Sequence, residues 1–187
     1  MIKLVGISGS LRSGSFNSAL LHAATTNLPD GVTLEKGSIS GIPLYDGDLE
    51  AAEGIPPAVA ALKDLVASAD GVILFTPEYN NSIPGVFKNA IDWMSRPSSD
   101  SARVFKNRPF AIAGASPGNY GTLLSQNAWL SVLHTLGANT WSGKRLVVGH
   151  VGEAIVDGRL TDEAIAKRLH EFVAGFAEFV KASRQDA

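Results

Sequence analysis

The chain has 187 residues, 45% of them hydrophobic and 18% charged, with a formal net charge of −2, so neither a disordered polymer nor a nucleic-acid binder with a basic tract is expected. It contains no cysteine, which excludes a disulfide framework, a cysteine-ligated metal or iron–sulfur centre and a thiol nucleophile. No apolar run approaches the roughly 20 residues of a membrane span, and Met1-Ile2-Lys3-Leu4-Val5-Gly6 turns polar too soon for a secretory signal, so the expectation is one soluble, cytoplasmic domain over residues 1–187.

A strand is predicted over 3–8 and a helix over 16–27, with Leu20, Leu21 and Ala24 on one side. A weaker strand over 32–36 is followed by a loop rich in Gly, Pro and Asp from 37 to 57. The next helix runs from about 58 to 68, where Val59, Leu62 and Val66 recur at helical spacing. Residues 71–76 form a continuous apolar run, the mark of a strand buried on both faces. A helix over 84–94 has proline at its start, and its apolar face is Val86, Phe87, Ala90, Ile91 and Met94. A strand over 110–115, a helix over about 122–136 and a strand within 140–148 follow. Thr161 can cap a last helix that has Glu163 in its first turn and reaches about 181.

Five strands alternating with five helices describe an α/β doubly wound parallel sheet. Its order is either flavodoxin-like, 2-1-3-4-5, or that of half a dinucleotide-binding fold. Both bind ligands outside the carboxyl ends of the strands, which directs attention to three loops.

The loop after the first strand, Ser8-Gly9-Ser10-Leu11-Arg12-Ser13-Gly14-Ser15-Phe16-Asn17, combines turn-forming glycines, hydroxyls, one fixed positive charge and a following helix N-terminus. Those are the parts of an anion cradle, although Gly and Ser are also ordinary turn material. Gly9 and Gly14 have the spacing of a nucleoside-triphosphate loop, but Ser15-Phe16 stands where Lys-Ser/Thr is required. The G-x-G-x-x-G dinucleotide fingerprint is absent as well, so a single terminal phosphate suits the loop better. After the third strand, Thr76-Pro77-Glu78-Tyr79-Asn80-Asn81-Ser82-Ile83-Pro84-Gly85 offers an aromatic face and donors for the edge of a flat heteroaromatic ring. After the fourth, Gly114-Ala115-Ser116-Pro117-Gly118 fits the serine-hydrolase elbow G-x-S-x-G. There, however, Pro117 has no N–H for an oxyanion, and although Asp157 and His170 could complete the chain order of a triad on Ser116, nothing around them suggests a site. His22, His134 and His150 show no ligand spacing, and no metal site is expected. Trp93 and Trp129 fall within helical patterns, where core or subunit contact is the expected role.

Taken together the motifs resemble the NADPH-dependent FMN reductase family, and within it the chromate and quinone reductases. The resemblance is carried by Gly9-Ser10-Leu11-Arg12-Ser13-Gly14-Ser15-Phe16-Asn17, and by Thr76-Pro77-Glu78-Tyr79-Asn80 with Ser82, Pro84-Gly85 and Lys88-Asn89-Ala90-Ile91-Asp92-Trp93. Ile42-Pro43-Leu44-Tyr45-Asp46 and Gly114-Ala115-Ser116-Pro117-Gly118 extend it over nearly the whole chain, while residues 119–129 are less alike. The resemblance implies a flavodoxin-like three-layer sandwich of order 2-1-3-4-5. It implies FMN, with Ser10, Arg12, Ser15, Phe16 and Asn17 around the phosphate. Pro77, Glu78, Tyr79 and Asn80 would border the isoalloxazine, and Ser116 would close its opposite side. It further implies NAD(P)H as donor, a small-molecule electron acceptor (quinone, nitro or azo compound, or a metal oxyanion such as chromate), a ping-pong hydride relay and a homodimer or homotetramer. No catalytic side chain is expected, because the cofactor carries the chemistry. An FMN-binding electron carrier or flavin sensor is the alternative; a hydrolase using Ser116 is a remote one.

Overall fold

A strand covered by helices on both sides has no polar face to show, and the three central strands accordingly read as apolar runs. In the computed structural model, which describes residues 1–185, these are β1 (Ile2–Ser8), β3 (Gly71–Phe75) and β4 (Pro109–Ala115). β2 (Val32–Gly37) lies outside β1 and buries only Leu34, as an edge strand does. The order is β2-β1-β3-β4-β5 and every pairing in this sheet is parallel, the flavodoxin-like order expected.

The expected fifth strand arrives in two pieces. β5 (Asn139–Thr140) pairs with the start of β4, and β6 (Leu146–Val148) pairs with its end. The Trp141 N–H still donates to the Phe110 carbonyl at 2.8 Å, and residues 142–145 leave the ladder between them. Trp141 accounts for the break: its ring packs edge-on against Phe172, with centroids 5.2 Å apart, and tilted against Phe176 at 5.7 Å.

Period-two alternation sends successive side chains of each strand to opposite layers. Leu4, Ile73 and Phe75 join the core beneath α1 (Phe16–Thr26), whereas Val5, Ile7, Val72 and Leu74 join the core on the other face. In chain order the remaining helices are α2 (Gly47–Glu53), α3 (Pro57–Ala67), α4 (Gly85–Met94), α5 (Ser98–Phe105), α6 (Leu123–Thr135) and α7 (Glu163–Gln185). Phe172, Val173 and Phe176 of α7 share the α1 layer; Leu62, Phe87, Phe105 and Trp129, from α3 to α6, fill the other. Full burial of each such side chain is worth about 1.5–3 kcal/mol.

Three elements depart from the sequence expectation. The loop over 37–57 contains α2, capped by Asp46, whose carboxylate accepts from the Asp48 N–H at 2.8 Å, and stopped by Gly54 at φ 77°. α2 buries none of its residues, so it shows no apolar period to read. α5 buries only Val104 and Phe105 and is hidden for the same reason. A small hairpin, β7 (Ile155–Val156) and β8 (Arg159–Leu160), turns through Asp157 and Gly158, both at positive φ. At the last helix the cap is Asp162 rather than Thr161: its carboxylate accepts from the Ile165 N–H at 2.8 Å, while the Thr161 hydroxyl donates to the Ala154 carbonyl.

Candidate active site

Parallel strands place their carboxyl ends at one edge, so the loops leaving β1, β3 and β4 meet there. Between them lies a shallow cleft of about 90 Å³. Ser10, Arg12, Ser15, Phe16 and Asn17 border it from the first loop. Pro77, Glu78 and Tyr79 border it from the second, and Ser116 from the third.

The first loop is held tightly at its base. The Gly9 N–H donates to the Phe75 carbonyl at 2.9 Å, and a Cβ at Gly9 would lie 2.1 Å from the Phe87 ring, so only glycine passes there. Ser10 Oγ accepts from the Arg12 N–H at 3.3 Å, and the Arg12 carbonyl accepts from the Ser15 N–H at 3.2 Å, closing a turn. Ser15 caps α1, its Oγ accepting from the Ser18 N–H at 3.2 Å. The N–H groups of Phe16 and Asn17 at this positive helix end then have no intrahelical acceptor. Arg12 is exposed beside them and reaches the Gly14 carbonyl at 3.1 Å.

Asn17 does something different from its neighbours. Its carboxamide donates to the Ala115 carbonyl at 2.9 Å and accepts from the Ala115 N–H at 2.9 Å. Thr76, just past the end of β3, donates its N–H to the Ala113 carbonyl. Two residues farther along β4, the groups of Ala115 that face the same way have no strand left to pair with, and the Asn17 amide takes that place. Asn17 thereby splices the first loop to the third.

In the second loop Tyr79 and Ser82 exchange both backbone hydrogen bonds at 3.1 Å across Asn80 and Asn81, at φ 50° and 62°. This is the primed two-residue turn that asparagine tolerates. It puts Asn80 at the tip, outside the border of the cleft, the one predicted site residue not brought there. The Glu78 carboxylate accepts from the N–H groups of Leu124 at 2.8 Å and Ser125 at 3.0 Å, capping α6. Behind it the buried Thr76 hydroxyl donates to the Pro77 carbonyl at 2.8 Å, accepts from Trp129 Nε1 at 3.0 Å and lies 2.9 Å from Ser125 Oγ.

Ser116 Oγ accepts from the Gly118 N–H at 3.1 Å, and no histidine borders the cleft. His170 Nδ1 is 3.0 Å from the Asn27 carbonyl instead. Nothing here assembles a hydrolase triad. Among the described residues, no cluster of potential metal ligands occurs.

Residues 2–153 match the model of the family described as NADPH-dependent FMN reductase. The chain belongs to that family. An NAD(P)H-dependent FMN reductase of Pseudomonas aeruginosa is 40% identical over 184 residues, covering 98% of this chain and 97% of that protein. A 2-hydroxy-1,4-benzoquinone reductase of a Burkholderia species is 35% identical, covering 98% of each. Among solved structures, FerB from Paracoccus denitrificans, described as a flavoenzyme NAD(P)H:(acceptor) oxidoreductase, superposes with a TM-score of 0.86 at 33% identity, covering 98% of this chain and 99% of that one.

The cleft of this FMN reductase fits the family's cofactor on its own chemistry. A phosphate needs a fixed cation, free N–H donors and hydroxyls at one place, and Arg12, the start of α1 and the serines of the first loop provide them. Sequence reasoning missed the support beneath: Thr76, Ser125 and Trp129, which tie the second loop to α6. Thr76, a polar residue closing the apolar run over 71–76, was the available signal. It also passed over Ala115, which lines the cleft through its backbone. The family motif around Lys88 proves to be a brace: Asn89 Nδ2 and Trp93 Nε1 both donate to the Pro43 carbonyl, at 2.8 and 2.9 Å, fixing the 42–46 loop.

Proposed function

We propose that this domain, as a single unit over residues 1–187, takes electrons from NAD(P)H and delivers them to a small acceptor, a quinone first. The reading rests on one observation: an anion cradle and an aromatic-edged loop sit side by side across one open cleft, with no histidine beside Ser116 and no second carboxylate beside Glu78 among its borders. Bound FMN would supply the redox chemistry, reduced by the nicotinamide and oxidised by the acceptor in ping-pong order. The protein's own residues bind and orient. Arg12 with the N–H groups of Phe16 and Asn17 would hold the phosphate, helped by Ser10 and Ser15. Pro77, Glu78 and Tyr79 would edge the ring, Glu78 through its backbone because its carboxylate is occupied by α6. Asn80 would contribute from the turn tip, and Ser116 from the far side.

Quinone reduction is favoured by the similarity to the Burkholderia benzoquinone reductase. Nitro and azo compounds and oxyanions such as chromate are further acceptors under the same chemistry. Exposed Leu11, Leu44, Tyr79, Tyr120 and Leu124 lie on or beside the loops at this end, which supports a homodimer or homotetramer built around the cleft. The proposed setting is the cytoplasm, where the nicotinamide donor is supplied. No helix among the described residues is long and apolar enough to cross a membrane.

The test is a visible spectrum of FMN-loaded protein, taken anaerobically after NADPH or NADH and again after a quinone. Bleaching followed by recovery is expected. A flavin that stays oxidised would make the protein a carrier or sensor, and failure to bind flavin would refute the reading. Arg12→Ala should weaken FMN binding by about tenfold with an unchanged melting temperature, since the side chain is exposed.

A further inference from the structure

Where β5 and β6 part, a second opening of about 100 Å³ lies between the margin of the sheet and α6. It shares no residue with the flavin cleft. β4 contributes Ile112 to it, α6 contributes Gln126 and Leu130, and the stretch between the two strands contributes Trp141, Lys144 and Arg145.

Gln126 is 2% exposed, and its carboxamide is only half paired. Nε2 donates to the Leu146 carbonyl at 2.8 Å and to Thr122 Oγ1 at 3.1 Å. The Leu146 carbonyl can only accept, so the orientation of the amide is fixed and Oε1 faces away from it. No described group donates to Oε1, yet among the described residues no sealed side-chain nitrogen or oxygen lacks a partner. Oε1 is therefore not sealed, and this opening is where Gln126 meets open space. An acceptor left without a donor at a nearly buried position costs about 1–3 kcal/mol, which a bound donor would offset.

Trp141 has the reverse need. Its indole nitrogen lies beside Gly143, where a Cβ would come within 2.5 Å of it, so glycine leaves the N–H clear. The indole N–H groups of Trp93 and Trp129 each have an acceptor, whereas that of Trp141 has none among the described residues. Two cations stand at the mouth and differ in state. Lys144 is answered by Glu171 at 2.7 Å; Arg145 is exposed, has no carboxylate partner among the described residues, and is the uncompensated charge.

These features describe one kind of molecule. Its inner end donates a hydrogen bond to Gln126, its outer end is an anion for Arg145, and its body is apolar against Ile112 and Leu130. An ammonium is disfavoured beside two cationic side chains, so the donor is a hydroxyl. A benzene ring is a rigid spacer that keeps a hydroxyl and a carboxylate at opposite ends, and the Trp141 N–H can meet an oxygen of the same molecule. We propose that this opening binds a small phenolic carboxylic acid, with its hydroxyl on Gln126 Oε1 and its carboxylate on Arg145. The inference stands apart from the flavin reading.

Isothermal titration of the FMN-loaded protein with 4-hydroxybenzoate, benzoate and phenol tests it. 4-Hydroxybenzoate should bind at one site, about tenfold more tightly than either of the others, because each of those lacks one polar end. Arg145→Ala should weaken 4-hydroxybenzoate about tenfold and leave phenol unchanged, at an unaltered melting temperature, since the side chain is exposed. The visible flavin band should not move during the titration. Equal affinity for the three probes, no saturable binding, or binding that survives Arg145→Ala would overturn the inference. Binding that shifts the flavin band would place the ligand in the cleft and overturn it as well. Failure to retain FMN would refute the flavin reading alone, and the same titration on the apoprotein would still decide this site.

Discussion

Asn17→Leu removes the splice between the first and third loops while keeping the branched heavy-atom skeleton of the side chain. Two hydrogen bonds of 2.9 Å disappear, and the N–H and carbonyl of Ala115 are stranded at a position 2% exposed, beside an Asn17 that is itself 3% exposed. Water cannot readily reach either group. Leaving a buried backbone donor or acceptor unpaired costs about 1–3 kcal/mol each, so the pair amounts to roughly 2–6 kcal/mol. In a domain of this size each kcal/mol lowers the melting temperature by about 2–4 °C, which predicts a fall of roughly 10 °C by calorimetry. Because the splice also sets the distance between the cradle and Ser116, FMN affinity measured by fluorescence quenching should drop with it. A melting temperature within about 2 °C of wild type would refute the reasoning, since it would mean that Ala115 finds other partners at no cost.

Glu78→Ala should take away the cap on α6, costing about 0.5–2 kcal/mol, visible as a lower midpoint in thermal melts of the FMN-free protein. Gly114→Ala would place a methyl 2.1 Å from Thr122 Oγ1 and 2.3 Å from the Thr76 carbonyl oxygen, and should lower the urea midpoint by at least the roughly 1–3 kcal/mol typical of overpacking. On acidification, stability should be flat down to about pH 5 and then fall. The reason is that Arg103 and Lys63 hold the Asp100 carboxyl well below its ordinary 3.8, and Arg96 holds Glu50 below 4.5. The unfolded chain therefore binds more protons in that range, so the stability these pairs contribute is present above the ordinary values and lost as pH drops through the folded ones. Protonating Asp100 also leaves the buried Lys63 ammonium with the Arg96 carbonyl but no countercharge. Asp100→Asn should flatten this acid limb, and a melting-temperature profile across pH for the two proteins checks it.

Periodicity and loop chemistry are what the amino-acid sequence makes legible. β3 and β4 stand out because burial on both faces leaves an unbroken apolar run, and the strand order follows once the motifs point to a family. α2 and α5 do not stand out, because helices that bury almost nothing carry no apolar stripe. The split of the fifth strand is hidden since Trp141 looks like a strand residue until α7 is there to receive its ring. At the site, local chemistry suggests an anion cradle around Arg12 and the start of α1, and the part given to Ser15 comes only with the family resemblance. The dual engagement of Asn17 with Ala115 spans 98 positions of sequence and belongs to the tertiary fold. Glu78 illustrates the same limit: a carboxylate in a loop reads as a ligand contact, and only the arrival of α6 shows that its oxygens are already taken.

The interruption between β5 and β6 has a bearing on how safely this protein can be crowded. An open sheet has two margins where a foreign strand could dock and start a fibre or a tangled dimer. On one margin, β2 presents Glu35 and Lys36 in succession. On the other, a would-be partner meets two residues of β5, a detour occupied by tryptophan, and three residues of β6, too short a template on either side of the gap to hold an extended chain in register.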